Sequence, residues 1–347
     1  MRVLHLVPSL GMGGAERQLY LLCRETEGRV SNRVTAIASE GRWAAPLREA
    51  GVEVECLHTP LKDPRVVWRL ASAVRRAQPD VVHCWLPSAN LLGALVAAGH
   101  PVVASVRNVD AWKPWIYRLA DRAAERFWSA VVVNSFAGAA HTLSQGVAAE
   151  KVHVVPNGIE PRTPLTRLHR ARTTVCAASR LVPQKRVDLV LDVARALPEA
   201  DFLIAGDGPM REQLEREAGA NVKLVGPQED PAWLFASSDF FILTSEREGT
   251  SNALLEAMQA GCVPVATPAG DNARIVEHGV SGWIGSPDRM GPAMREMLAG
   301  WSSMSAAARR AAGRYTVPAM VERTLRIYEQ VVTHEVSNTD PVPGLHQ

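Results

Sequence analysis

Residues 3–25 read VLHLVPSLGMGGAERQLYLLCRE, and this stretch decides the fold. Residues 3–7 form a short apolar run of strand type. Gly11, Gly13 and Gly14 then make a turn, and an amphipathic helical pattern follows over 15–27. Strand, glycine turn and helix together open a βαβ unit. The alternation continues, with strands expected over 33–38, 52–57, 81–84, 102–106, 130–133 and 152–155. Helices are expected over 64–77, 89–98, 114–128 and 136–145. Short strands separated by helical patterns of 10–15 residues imply a parallel sheet.

The stretch 157–172, with Pro161 and Pro164, breaks the pattern and reads as a linker. The alternation restarts with strands over 173–179, 202–205, 222–225, 240–244, 263–266 and 282–284. The helical patterns here cover 187–197, 210–218, 231–237, 251–260, 273–277, 289–300, 302–314 and 318–332. Two doubly wound α/β domains with a cleft between them are expected. The first covers 1–160, a linker 161–172, the second 173–316, a C-terminal helix 317–333 and a disordered tail 334–347.

Composition narrows the function. The chain has 347 residues, enough for two domains, and 47% of them are hydrophobic, which excludes a disordered or collagen-like chain. No apolar run approaches the roughly 20 residues that span a bilayer, and the start does not read as a secretory leader. A cytoplasmic protein is expected. Five scattered cysteines without C-x-x-C spacing read as buried thiols, neither a disulfide framework nor a zinc site. Residues 1–165 carry 19 Lys and Arg against 14 Asp and Glu, and residues 166–347 carry 19 against 22. That imbalance is too weak for a nucleic-acid binder, but suits a basic first half that faces phosphate or a membrane surface.

Three constellations carry chemistry. At Ser9–Glu16, the glycines and the helix start they open suit an anion, although the spacing is neither G-x-G-x-x-G nor a P-loop. A plain tight turn is the competing reading. At 179–186, SRLVPQKR follows a strand, and Arg180 with Lys185 matches a diphosphate by a planar fork plus a mobile point charge. At 245–256, SEREGTSNALLE follows another strand and opens a helix that Thr250 or Ser251 can cap. Glu248 stands on the loop and Glu256 inside the helix, two carboxylates suited to sugar and ribose hydroxyls. Gly206–Pro209 and Gly226–Glu229 read as turns. With no D-x-D and no H-E-x-x-H, no metal site is expected, and His83 and His141 read as structural.

Together these pieces resemble the retaining, nucleotide-sugar-dependent GT-B glycosyltransferases of family 4. The matching stretches are GMGGAERQL at 11–19, VVPNGIE at 154–160, SRLVPQKRVDLVL at 179–191, IAGDGPMREQLE at 204–215, VKLVGPQED at 222–230 and SEREGTSNALLEAMQAGCVPVAT at 245–267. The resemblance implies that Gly13 and Gly14 face donor phosphates and that Arg180 and Lys185 hold the leaving diphosphate. It implies that Glu248 binds the transferred sugar with help from the backbone at Gly249, Thr250, Ser251 and Asn252, and that Glu256 binds the ribose. Val225 and Gly226 would border the base. Many relatives carry a histidine at the end of the strand written here VVASVRNVD. This chain has Arg107 and Asn108 there, so a histidine base is not carried over, and both residues are assigned to the acceptor or sugar side.

The implied activity is transfer of a hexose or N-acetylhexosamine from a UDP- or GDP-sugar, without metal or other cofactor. The acceptor class implied is polysaccharide, lipopolysaccharide or glycolipid. Within the same fold, a nucleotide-sugar epimerase or hydrolase is the alternative. An NAD oxidoreductase is disfavoured by the glycine spacing, and a non-catalytic sensor by the presence of both glutamates and both cations. The stretch 112–128, WKPWIYRLADRAAERFW, places Arg118, Arg122 and Arg126 on one helical stripe between aromatic ends. Such a stripe fits reversible contact with the inner face of the cytoplasmic membrane and a lipid-linked acceptor. Asp121 and Glu125 partly neutralise it, and a plain core helix is the competing reading.

Overall fold

A computed structural model describes residues 1–97, 99–107, 122–161 and 172–333. They form two compact units, Met1–Gly158 joined by the C-terminal segment from Val317, and Ile159–Thr316.

The first unit runs β1 (Arg2–Ser9), α1 (Gly14–Glu25), β2 (Ser31–Ser39), α2 (Ala44–Glu49), β3 (Glu53–Cys56), α3 (Arg65–Ala77), β4 (Val81–Trp85), α4 (Pro87–Val96), β5 (Val102–Val106), β6 (Ala130–Val133), α5 (Phe136–Ser144) and β7 (Val152–Val154). The strands make one parallel sheet in the order β3-β2-β1-β4-β5-β6-β7. Helices cover both faces, so the central strands are buried on both sides and mostly apolar instead of alternating, with His5, His83 and Ser105 as buried polar exceptions. On one face Leu19, Leu22 and Cys23 of α1 share a core with Val321, Leu325 and Tyr328 of the C-terminal helix Val317–Thr333. On the other face Leu70 and Val74 of α3 join Ala89 and Val96 of α4.

The second unit runs β8 (Thr174–Ala178), α6 (Val187–Ala196), β9 (Asp201–Ala205), α7 (Arg211–Glu217), β10 (Val222–Gly226), α8 (Ala232–Ala236), β11 (Phe240–Leu243), α9 (Asn252–Ala260), β12 (Val263–Ala266), α10 (Asn272–Ile275), β13 (Trp283–Ile284), α11 (Pro287–Met297) and α12 (Trp301–Ala312). Its sheet is again parallel, in the order β10-β9-β8-β11-β12-β13. The order reverses between β8 and β11, where successive crossovers leave for opposite faces and a crevice opens at the carboxyl ends of the strands.

The differences from the sequence reading are local. Helix α2 is absent from that reading because six residues are too few for a period, although Pro46 sits in the first turn, where proline is tolerated. Of the two candidate caps, it is Ser251 that caps α9, its Oγ accepting the Leu254 N–H at 3.4 Å. Asn108, most of the stretch 112–128, most of the linker and the tail lie outside the described residues. Within 112–128, Trp128 is buried and donates its Nε1–H to the Asn90 carbonyl at 3.3 Å, so this end of the aromatic cluster belongs to the core. Phe127 is exposed, with the Arg126 guanidinium 4.8 Å from its ring. No helix among the described residues is long and apolar enough to cross a membrane.

Candidate functional site

The carboxyl ends of β8 and β11 face each other where the second sheet reverses its order. Behind β8 the chain makes a short 3-10 turn, Pro183–Lys185, and Arg186 follows in the left-handed region at φ 47°. This bend turns Lys185 toward β11, and its Nζ meets Glu248 Oε1 at 2.6 Å. The Ser245 hydroxyl donates to the same oxygen at 2.7 Å. Among the described residues Glu248 Oε2 has no hydrogen-bond partner, although side-chain exposure is only 17% for Lys185 and 8% for Glu248. One carboxylate oxygen is therefore clamped and the other remains available as an acceptor.

The loops behind this pair are stitched together. Gln184 donates to the Arg247 carbonyl at 3.0 Å, and its own carbonyl accepts the Glu246 N–H at 3.0 Å. The Thr244 hydroxyl bonds the carbonyls of Lys185 and Arg186. Arg186 is held by Asp188 and by Glu246, at 3.0 and 3.2 Å. Gly270, at φ 58° beyond β12, lies so close to the Glu248 and Gly249 carbonyls that a Cβ there would collide with both. Glu248 thus owes its orientation to three neighbouring strand ends, the kind of surrounding shell a reactive group needs.

Arg180 is exposed, and among the described residues its guanidinium makes no hydrogen bond or ion pair. Its backbone rests on the Gly206–Gly208 turn: Leu181 N–H donates to the Asp207 carbonyl at 2.8 Å, and a Cβ at Gly206 would strike the Ser179 carbonyl. The turn that the sequence presents as plain is therefore the platform of the Arg180 loop. Gly206 N–H in turn bonds the Gly226 carbonyl at 2.9 Å, which places Val225 and Gly226 at the next strand end. Glu256 is buried on α9, below Gly249–Asn252. Gln184, Thr244, Ser245, Gly206 and Gly270 were missed in the sequence because they act through partners on other strands. Only the glycine turns carried a visible signal.

In the first unit, Gly13 is the N-cap of α1 and Gly14 its first residue. Glu16 occupies the third helical position, is buried, and folds its carboxylate over Gly13 where a Cβ would stand. That end of the helix dipole thus already faces an internal anion. Arg107 follows β5, half-buried, its guanidinium 4.4 Å from the Trp85 ring and its Nη1 3.2 Å from Asn157 Oδ1. Burial pulls its pKa down to about 10. Trp85 donates to His5 Nδ1 at 3.2 Å and lies 4.6 Å from the His83 ring, which in turn bonds Tyr328 and Ser105. His83 is structural, as expected. Burial holds His5 at about 4 and His83 well below its ordinary value, so both are neutral.

Two units, each built on a parallel doubly wound sheet, of seven and of six strands, have the GT-B architecture. The family model described as "Glycosyltransferase Family 4" matches residues 12–163, and that described as "Glycosyl transferases group 1" matches 172–299. The chain belongs to the group 1, family 4 glycosyltransferases. It is 29% identical over 250 residues to sulfoquinovosyl transferase SQD2 of Arabidopsis thaliana, covering 63% of this chain and 49% of the relative. The chain therefore spans about half that relative's length. It is 26% identical over 281 residues to the lipopolysaccharide core biosynthesis glycosyltransferase LpsE of Rhizobium meliloti, covering 74% of this chain and 76% of the relative. Among solved structures, Anabaena HepE in complex with UDP and glucose superposes with a TM-score of 0.84 at 22% identity, covering 95% of this chain and 99% of that one. This likeness is one of fold.

Proposed function

We propose that this chain is a retaining glycosyltransferase that moves a hexose or N-acetylhexosamine from a nucleoside-diphosphate sugar to an acceptor hydroxyl. The observation that carries the reading is the Glu248 carboxylate, with Oε1 clamped by Lys185 and Ser245 and Oε2 free at the reversal of the second sheet. In the proposed reaction the free oxygen accepts a hydroxyl of the transferred sugar, and backbone N–H groups around Gly249–Asn252 assist. Lys185 keeps further N–H donors after pairing with Glu248, and with the unpaired Arg180 it takes the diphosphate. Glu256 takes the ribose, and Val225 and Gly226 border the base.

The anomeric C–O bond to phosphate breaks, a C–O bond to the acceptor forms on the same face, and the acceptor proton passes to the departing phosphate oxygen. Rate enhancement comes from positioning and from the positive charge of Lys185 and Arg180 where the leaving charge develops. Lys185, held by Glu248, and the exposed Arg180 serve the diphosphate without a metal ion. The name of LpsE supports a lipopolysaccharide acceptor within the wider class of glycolipid, lipopolysaccharide or polysaccharide. The neighbour bound to UDP and glucose supports a nucleotide-sugar donor. A cytoplasmic site of action, with reversible contact at the inner membrane face, completes the proposal.

Incubation of the full chain with labelled UDP- and GDP-sugars, with and without EDTA, tests it. Transfer that survives chelation is expected. Epimerised or hydrolysed donor would point to the alternative reading, and a chelation loss restored by magnesium would refute the metal-free site.

A further inference from the structure

The carboxyl ends of β4, β5, β6 and β7 lie side by side in the first sheet, and Arg107 stands among them between Trp85, Asn134 and Asn157. Its guanidinium is held on two sides, by the Trp85 ring and by Asn157 Oδ1. Its Nε is buried and has no partner, and no described carboxylate pairs with it. Buried guanidinium groups are ordinarily compensated by a carboxylate, because an unpaired charge away from water is costly. Here every neighbour that fixes the seat is neutral: Trp85, Asn157 and, behind Trp85, the buried His5 and His83, with Ser105 and Tyr328 bonded to His83. Among the described residues, ring stacking and one amide oxygen leave the positive charge largely uncompensated.

We infer that Arg107 is the seat of an anionic group, a carboxylate or a phosphate, carried by the acceptor. The planar fork of arginine suits either oxyanion, and Trp85, locked by His5 and His83, holds that fork in place. This inference deepens the transfer reading by naming an acidic substrate class, and it is tested separately from donor binding.

Saturation-transfer NMR on the full chain would use methyl α-glucuronide, glycerol 3-phosphate and, as the neutral control, methyl α-glucoside. UDP binding would be titrated in parallel. Arg107→Gln is expected to weaken at least one anionic probe by about 10- to 100-fold, the size of one charge-assisted contact, and to leave the neutral probe and UDP unchanged. Stronger binding of the carboxylate probe would identify an acidic sugar acceptor, and of the phosphate probe a phosphorylated acceptor; either supports the inference. Because no described carboxylate pairs with the charge it removes, Arg107→Gln should melt no lower than the parent. If it fails to fold, Arg107→Lys, which keeps the charge and loses the fork, should still bind the same probe more weakly than the parent. Anion binding that is equal in parent and variant, or no stronger than that of the neutral glucoside, overturns the inference even if UDP binds. Loss of UDP binding with Arg107-dependent anion binding intact would instead count against the donor reading alone.

Discussion

Replacing Lys185 with Met should strand the Glu248 carboxylate, leaving the Ser245 hydroxyl as its one side-chain donor among the described residues. Unit charges 2.6 Å apart attract by about 6 kcal/mol at an effective dielectric of 20. Desolvation offsets much of that, and removing one partner of a fully buried pair costs about 3–5 kcal/mol. With side-chain exposures of 17% and 8% the pair is slightly wetter, so about 2–3 kcal/mol is expected. For a unit the size of Ile159–Thr316, that is a fall in Tm of about 5–10 °C. Glu248→Gln keeps the Ser245 contact and removes the charge, so it should cost less by itself and should restore most of the stability of Lys185→Met. Transfer should stay low in all three variants. Thermal melts and turnover with a labelled donor read the two effects separately. If Lys185→Met melts with the parent, or Glu248→Gln does not rescue it, the pair is not energetically coupled and the reasoning fails. The clamp on Oε1 and the burial of the side chain also tie Glu248 into its unit's packing, so Glu248→Ala should cost stability as well as activity, more than a free loop carboxylate would.

Arg180→Ala should slow transfer by about 10²–10³-fold without changing the melt, because its guanidinium is exposed and unpaired; combined with Lys185→Ala the loss should be less than multiplicative, since both serve one leaving group. Because His5 and His83 have lower pKa values folded than the unfolded value near 6.5, their neutral state supports the fold above that pH. Stability should fall by up to about 1.4 kcal/mol per pH unit per histidine as pH drops from 6.5 toward about 4, the value for His5. Urea midpoints at pH 7.5 and 5 would measure this, and a flat profile, or one unchanged in His5→Gln, would refute it. Sedimentation with anionic vesicles at low salt should exceed that with neutral vesicles or at high salt, and should drop when Arg118, Arg122 and Arg126 become Gln; equal partitioning throughout would remove the membrane contact.

What the sequence by itself determined is whatever repeats or punctuates locally. Apolar runs such as 130–133 and 240–243, turn residues after them and amphipathic stretches between them were enough for two parallel α/β units, because a strand buried on both faces has no polar alternation to hide it. Arg180, Lys185 and Glu248 were legible because each stands directly after such a strand. The tertiary structure alone decided how they are used. Lys185 and Glu248 are 63 residues apart and meet only because the sheet reverses its order between β8 and β11. The Gly206 turn and Gly270 matter through backbones they nearly touch, a contact without a sequence period. Glu16 covers the helix start that the glycines appeared to offer to phosphate. Trp128, which reads as half of a surface aromatic cluster, is core because Asn90 and its neighbours enclose it. Arg107 shows the same division. Its place at a strand end was readable, whereas the neutral seat made by its described neighbours depends on side chains that four strands and a C-terminal helix bring together.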